Sequence, residues 1–320
     1  MNKKNRIRFP ELFQGMGKGK DYFEGWYFKH VSEKKDFVFS AIPGISYEDN
    51  HKHAFIQLII GPPFKSFYIQ YPIEAFDWQD DPFIIRIGDN TFSMDGINLN
   101  IEATDVELKG RFQYYDISRL KHSIIQPNIM GFFAYFRFMQ CNHGVMSLTH
   151  HLQGRITFND QVIDFSHGKG YIEKDWGISF PKKYIWIQSN HFEDDSVSIF
   201  SSIAHIPFLK RAFLGFIMIL KVGNKQYRFA TYNRAKIASV KYKDDFMTIE
   251  VKRRQHILRI RAKYDKGHVL KAPNKGVMVD DINETLEGVV EVSLMKNGVI
   301  IYEGTGTNAG VEVVNWTKRK

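Results

Sequence analysis

Residues 170–177, which read Gly-Tyr-Ile-Glu-Lys-Asp-Trp-Gly, place two carboxyls and a phenol within five positions. Glycines bracket β-favouring residues, a pattern typical of a short strand. Because strand side chains alternate between two faces, Tyr171, Glu173 and Asp175 are predicted to share one face. If that face is enclosed, the three groups can perform general acid–base chemistry. The alternative is an edge strand whose carboxylates are solvated.

A second carboxyl lies among aromatic residues near the start of the chain. Residues 22–29 read Tyr-Phe-Glu-Gly-Trp-Tyr-Phe-Lys and predict a strand with Glu24 and Trp26 on one face. An ionised carboxyl beside aromatic rings loses hydration, which tends to raise its pKa. The alternative is that Glu24 pairs with an arginine or a lysine.

Three histidines, His143, His150 and His151, fall within nine residues. Adjacent histidines on a strand point to opposite faces, and this segment has no Cys-x-x-Cys, His-x-His or His-Glu-x-x-His spacing. We therefore predict no metal site, and expect one of His150 and His151 to face inward and the other to face solvent.

Composition sets the class of protein. The chain has 320 residues, of which 43% are hydrophobic and 15% aromatic, enough for one large β domain or two ordinary ones. A single cysteine, Cys141, excludes a disulfide within the chain and fits a cytoplasmic location. The net charge of +9 is spread along the sequence rather than concentrated on one element, so we expect no nucleic-acid partner.

The charge and one apolar run allow peripheral membrane contact. The basic start of the chain is not followed by an apolar core, so no signal peptide is expected. The run at 212–220 is too short to span a bilayer. We interpret it first as a buried strand, and a membrane-touching loop is the alternative.

Short apolar segments separated by turn residues predict an all-β protein with few, short helices. The predicted strands are 36–42, 54–60, 65–71, 83–87, 97–101, 106–114, 184–192, 196–204, 213–222, 225–233, 247–251, 256–262, 289–295 and 298–303.

The chain also repeats itself weakly. Residues 152–170 and 286–306 each read as Leu-x-Gly, an apolar strand, a turn of Asn-Asp or Asn-Gly, a second strand and Gly-x-Gly. We predict two tandem β-barrel domains, at 1–180 and 181–320.

Several segments in chain order resemble the tocopherol cyclase family and, more distantly, carotenoid 1,2-hydratases and AttH-like proteins. The pieces are residues 22–29, 139–144, 149–154, 168–181, 186–192, 229–232 and 310–313. The resemblance implies a tandem duplicated lipocalin-like, or allene-oxide-cyclase-like, pair of antiparallel β-barrels. It also implies addition of an oxygen nucleophile across a prenyl double bond of a prenylated phenol, quinol or other isoprenoid, with no cofactor or metal required. The oligomeric state stays open.

The same resemblance suggests roles for individual residues. Glu173 is our first choice as proton donor, with Asp175 raising its pKa by repulsion and Tyr171 orienting it. The hydratases carry aspartate where this chain has Glu173, so the reach differs by one methylene. Residues expected to bind substrate or handle the second proton are Glu24, Trp26, His150, Trp176, Trp186, Gln188 and Asn190. The alternative function is a lipid or isoprenoid carrier without turnover.

Overall fold

The computed structural model describes residues 3–48, 51–136, 139–208, 211–243, 245–264 and 267–316. Within these ranges strands predominate, and the helical parts are one α-helix, Lys3–Arg8, and three 3-10 turns at Ile73–Ala75, Gly131–Tyr135 and Thr231–Asn233. The prediction of an all-β protein with few short helices is confirmed. No helix in the described part of the chain is long and apolar enough to cross a membrane.

The strands up to the candidate site are β1 (Tyr22–Val31), β2 (Val38–Tyr47), β3 (Lys52–Gly61), β4 (Lys65–Pro72), β5 (Phe76–Asp80), β6 (Phe83–Ile87), β7 (Asn90–Ser93), β8 (Gly96–Ala103), β9 (Val106–Tyr115), β10 (Cys141–Phe158), β11 (Gln161–Asp164) and β12 (Lys169–Gly177). The later strands are β13 (Tyr184–Ser189), β14 (His191–Phe192), β15 (Ser198–Phe208), β16 (Arg211–Val222), β17 (Lys225–Ala230), β18 (Lys236–Lys243), β19 (Phe246–Arg253), β20 (His256–Lys263), β21 (His268–Asn274), β22 (Val277–Lys296) and β23 (Val299–Val314).

The residues group into two units. The first comprises Met1–Met130, Ala134–Phe180 and Leu270–Asp281, and the second comprises Gly131–Phe133, Pro181–Val269 and Ile282–Lys320.

The first unit is built on one antiparallel sheet with the strand order β4-β3-β2-β1-β12-β10-β9-β8-β7-β6-β5. Strand β12 lies in the middle of this order, paired with β1 on one side and β10 on the other. The alternative of an edge strand with solvated carboxylates is therefore wrong.

One face of this sheet encloses a hydrophobic core. Ile172 of β12 packs there with Trp26 and Phe28 of β1, all three fully buried. Ile69 of β4 and Phe76 of β5 also pack against this core, although their strands stand at opposite ends of the strand order. A single sheet whose two end strands meet one core must curl around it, as in a small barrel.

The second unit repeats this plan with the order β17-β16-β15-β13-β23-β22-β20-β19-β18. Its core contains Ile185 and Ile187 of β13 and Val311 of β23. The apolar run at 212–220 forms most of β16, with Met218 and Leu220 buried in this core. Its interpretation as a strand is confirmed, and the strand is buried in its later part, whereas Ala212 and Leu214 are exposed.

The repeat is visible in the pairing of the strands. The first long strand of each unit pairs with its last, β1 with β12 and β13 with β23. The hairpin of β10 with β11 turns at Asn159-Asp160 (φ 45° and 67°), and the hairpin of β22 with β23 turns at Asn297-Gly298 (φ 52° and 81°). These positive φ angles are the left-handed backbone that two-residue hairpin loops need.

Trp26 and Trp186, on the first long strand of each unit, do not occupy equivalent positions. Trp26 faces the first core, whereas Trp186 lies on the face of β13 opposite Ile185 and Ile187. A one-residue slip reverses every side chain on a strand. Strand pairing instead matches Tyr27, opposite Glu173, with Trp186, opposite Glu312.

Candidate active site

The face of β12 that points away from the first core carries the predicted acid–base residues. Tyr171 and Glu173 are buried, with 1% and 5% of their surface exposed, and Asp175 is half-buried. The face predicted by alternation is therefore largely withdrawn from water, although it is not the core face of the sheet.

A histidine lies between the two carboxyls. His143 Nδ1 is 2.8 Å from Asp175 Oδ1, and His143 Nε2 is 3.5 Å from Glu173 Oε2. The Tyr171 hydroxyl donates a hydrogen bond of 2.5 Å to the same Glu173 oxygen. Tyr171, Glu173, His143 and Asp175 thus form a continuous polar chain, named here the His143 cluster.

Strand register brings His143 to this place. The pairing of β10 with β12 sets His143 opposite Asp175 and Val145 opposite Glu173. Directly opposed residues in an antiparallel pair have Cβ atoms about 5 Å apart, close enough for an imidazole to reach both carboxyls. From the sequence, His143 is a candidate only as a metal ligand and is not among the predicted acid–base residues.

The two carboxyls decide the charge of His143. Burial disfavours its charged form, but the charges of Asp175 and Glu173 and the hydrogen bond to Asp175 outweigh burial and raise the pKa of His143 to about 9. The imidazole is therefore protonated at neutral pH. Burial and the neighbouring Glu173 charge raise the pKa of the Tyr171 phenol, which keeps it a hydrogen-bond donor.

The one cysteine also borders this cluster. Cys141 Sγ lies 3.8 Å from Asp175 Oδ1. Burial and the Asp175 charge raise the pKa of the thiol, so Cys141 is protonated and a poor nucleophile at neutral pH.

The cluster also has the dimensions of a metal site, because one ligand atom each from His143, Glu173 and Asp175 lie within 4.8 Å of one another. Spacing along the chain could not reveal this group, which assembles across two strands. The imidazole directs one nitrogen at each carboxyl, which is the arrangement for sharing a proton rather than for three donors converging on one ion.

The opposite face of β12 holds a buried ion pair. Lys174 Nζ is 2.5 Å from Glu24 Oε1, and neither side chain is exposed. Tyr22 donates a 2.6 Å hydrogen bond to Glu24, and the ammonium lies over the rings of Trp26 (4.5 Å) and Trp176 (4.9 Å). The alternative that Glu24 pairs with a lysine is what the structure shows.

Three predicted substrate-binding residues, Glu24, Trp26 and Trp176, therefore surround Lys174 instead of joining the His143 cluster. Lys174 also donates to the backbone carbonyls of Pro10 and Leu12, at 2.8 and 2.6 Å. Burial outweighs the attraction of Glu24 and lowers the pKa of Lys174 to about 8.

His150 lies in the interior and outside the His143 cluster. Its Nδ1 is 2.9 Å from Ser147 Oγ, and its ring packs against Tyr114 at 4.3 Å. Burial lowers the pKa of His150 well below its ordinary value, so it is neutral. His151 is exposed, which confirms that one of the two adjacent histidines faces inward.

Trp186, Gln188 and Asn190 belong to the second unit and are all buried. Trp186 and Gln188 lie on the face of β13 that points away from the second core. Strand β23 places Glu312 opposite Trp186, and the Tyr184 hydroxyl donates 2.6 Å to that carboxylate. This tyrosine–carboxylate pair resembles the Tyr171–Glu173 pair of the first unit.

The sequence model of tocopherol cyclase-like proteins matches residues 115–314, so the chain belongs to this family. The match includes all of the His143 cluster. Family membership supports an enzyme of the cyclase or hydratase type.

Solved structures share the fold across nearly the whole chain. CghA in complex with Sch210972 superposes with a TM-score of 0.59 at 10% identity, over 92% of this chain and 88% of that one. An AttH-type protein from Nitrosomonas europaea superposes with a TM-score of 0.54 at 12% identity, over 97% of each chain. Kievitone hydratase from Nectria haematococca superposes with a TM-score of 0.53 at 10% identity, over 96% of this chain and 93% of that one. At such identities the likeness concerns the fold.

Proposed function

We propose that this protein is an acid–base enzyme that adds an oxygen nucleophile across an isolated prenyl double bond. Its substrate would be a prenylated phenol, a prenylated quinol or another isoprenoid lipid. The observation that carries the proposal is the placement of the His143 imidazole between the carboxyls of Glu173 and Asp175, on a largely buried sheet face.

In the proposed reaction, the proton of the His143 imidazolium passes from Nε2 to Glu173, and the carboxylic acid formed in this way gives it to one alkene carbon. A C–H bond forms, the π bond breaks and a tertiary carbocation remains. The phenol oxygen of the same molecule, or a water, attacks the cation to form a C–O bond. The proton released from that oxygen returns to the cluster at Asp175, so a cyclisation conserves all atoms and a hydration gains one water.

His143 connects the two carboxyls in this scheme. His143 contacts Glu173 through Nε2 and Asp175 through Nδ1. A proton that the imidazole gives up at Nε2 can therefore be replaced by one taken up at Nδ1. The cluster then starts each turnover with the same number of protons. The Tyr171 hydroxyl fixes the orientation of the Glu173 carboxyl through its hydrogen bond.

The test is to incubate the purified protein with a prenylated hydroquinone and analyse the extract by mass spectrometry and NMR. Loss of the alkene signal at unchanged mass supports cyclisation, and the gain of one water supports hydration. A ligand that binds and is recovered unchanged, across a panel of prenyl chain lengths, would favour the carrier over the enzyme. Mass spectrometry of lipid that co-purifies with the protein identifies the chain lengths to include.

A further inference from the structure

A tight turn in the first unit presents two adjacent isoleucines at its tip. The backbone N–H of Ser123 donates to the Gln126 carbonyl at 2.9 Å, and the N–H of Gln126 donates to Ser123 Oγ at 3.2 Å. Ile124 and Ile125 occupy the two central positions. The Tyr135 hydroxyl donates to the Ile124 carbonyl at 2.8 Å, so the tip is held in place.

These are the most exposed large hydrophobic side chains in the described ranges, at 85% for Ile124 and 73% for Ile125. Turn centres favour Gly, Pro, Asn, Asp and Ser, each for a conformational reason that isoleucine does not supply. A single exposed apolar residue needs no explanation, but two β-branched side chains projecting together from a turn form a small exposed hydrophobic patch.

We infer that the 123–126 turn inserts its two isoleucines into an anionic lipid surface. Three exposed basic or ionisable residues precede it, Arg119, Lys121 and His122, of which Arg119 pairs with Glu11 at 2.8 Å. The whole chain carries a net charge of +9. Basic residues beside inserted apolar side chains are the combination that holds a protein on an anionic bilayer. The inference is separate from the proposed reaction.

A lipid surface fits this feature better than a protein partner does. A stable protein interface buries roughly 800 Å² on each partner, far more than two side chains at a turn provide. A bilayer accepts a few apolar side chains at a time. The other exposed apolar run, Val299 to Ile301, lies within strand β23. Alternation puts Ile300 on the face opposite Val299 and Ile301, and all three are less exposed than the two isoleucines of the turn.

The experiment is co-sedimentation of the full-length protein with two kinds of vesicle, pure phosphatidylcholine and phosphatidylcholine mixed with phosphatidylglycerol. The variant is Ile124→Ser with Ile125→Ser. The matched control is Val299→Ser with Ile300→Ser, which removes two other exposed apolar residues, at 66% and 55%. We expect the wild type and the control to bind the anionic vesicles, and the tip variant to bind them at least about tenfold more weakly.

Several results would overturn the inference: wild-type protein that ignores anionic vesicles, a tip variant that binds as the wild type does, or a control that loses binding equally. Sedimentation velocity without lipid tests self-association. A wild-type dimer that the tip variant abolishes would assign the turn to a protein contact. Turnover of detergent-dispersed substrate should be the same in the tip variant and the wild type, so failure of this inference is distinguishable from failure of the proposed reaction.

Discussion

His143 Nδ1 lies 2.8 Å from Asp175 Oδ1, across the pairing of β10 with β12. The other ring nitrogen is 3.5 Å from Glu173, so one imidazole serves two carboxyls of the same strand. Had the carboxyls met directly, their repulsion would have left a proton on one of them. Instead the proton rests on the histidine, and the two carboxyls stabilise it there.

This arrangement makes stability depend on pH. The pKa of His143 is raised from 6.5 to about 9 in the folded protein. Its contribution is therefore complete below pH 6.5 and is lost as pH rises through about 9, amounting to about 3 kcal/mol of unfolding free energy. Urea unfolding of wild type and His143→Gln from pH 6 to pH 10 should show the two curves converging at high pH. Parallel curves would contradict the bridging role of His143.

Turnover should follow the same titration. Loss of the His143 proton removes the supply to Glu173, so kcat should be constant from pH 7 to 8 and fall above about pH 9. His143→Gln should lower kcat by about 10²-fold or more from pH 7 to 8, and the difference from the wild type should shrink above about pH 9. His151→Gln is the matched control, because His151 is exposed and outside the cluster. A control as slow as His143→Gln would show that the assay reports general damage.

The hydroxyl of Tyr171 is expected to contribute by orienting Glu173. Tyr171→Phe keeps the buried ring and removes the 2.5 Å hydrogen bond. We expect kcat to fall by roughly 10- to 100-fold, with KM nearly unchanged, since a hydrogen bond to a charged group contributes about 1.5–3 kcal/mol. The same substitution made in the Glu173→Gln variant should lower kcat by a much smaller factor. Equal losses in both backgrounds would mean that Tyr171 acts independently of Glu173.

The buried pair of Lys174 and Glu24 should matter for folding. Lys174→Met leaves the Glu24 charge buried without its ammonium partner, which is expected to destabilise the protein by about 3–5 kcal/mol. The double variant Lys174→Met with Glu24→Gln should recover part of that loss, because no uncompensated charge remains. The measurement is chemical denaturation of both variants. A single variant as stable as wild type would contradict a stabilising role for the Lys174–Glu24 ion pair.

The sequence predicted this strand and the alternation of its side chains, but it did not predict what each face of the strand contacts. Period-two alternation correctly predicted that Tyr171, Glu173 and Asp175 share a face, because that information is local. The side of the sheet on which a core forms depends on every other strand. Alternation alone could not show that this face points away from the first core, or that Lys174 points into it.

His143 was not predictable because two irregularities intervene. The register of β10 against β12 shifts between Val145 and Ser147 and again between Ser147 and His150. Each shift adds one residue to β10, so counting from the His150–Gly170 pair without the shifts would set His143 opposite Gly177 instead of Asp175. The ion pair of Glu24 and Lys174 likewise depends on the pairing of β1 with β12, which are far apart in the sequence.

Protonation of the alkene by Glu173 is tested by running the reaction in D₂O. The wild-type protein and Glu173→Gln would each be given the prenylated hydroquinone that the wild type converts, with binding measured in parallel. We predict that the wild-type product carries one deuterium on the former alkene carbon, in a single configuration. Glu173→Gln should bind the substrate as tightly and form product at least about 10²-fold more slowly. Full activity in Glu173→Gln, or a product with no deuterium on that carbon, would contradict the account.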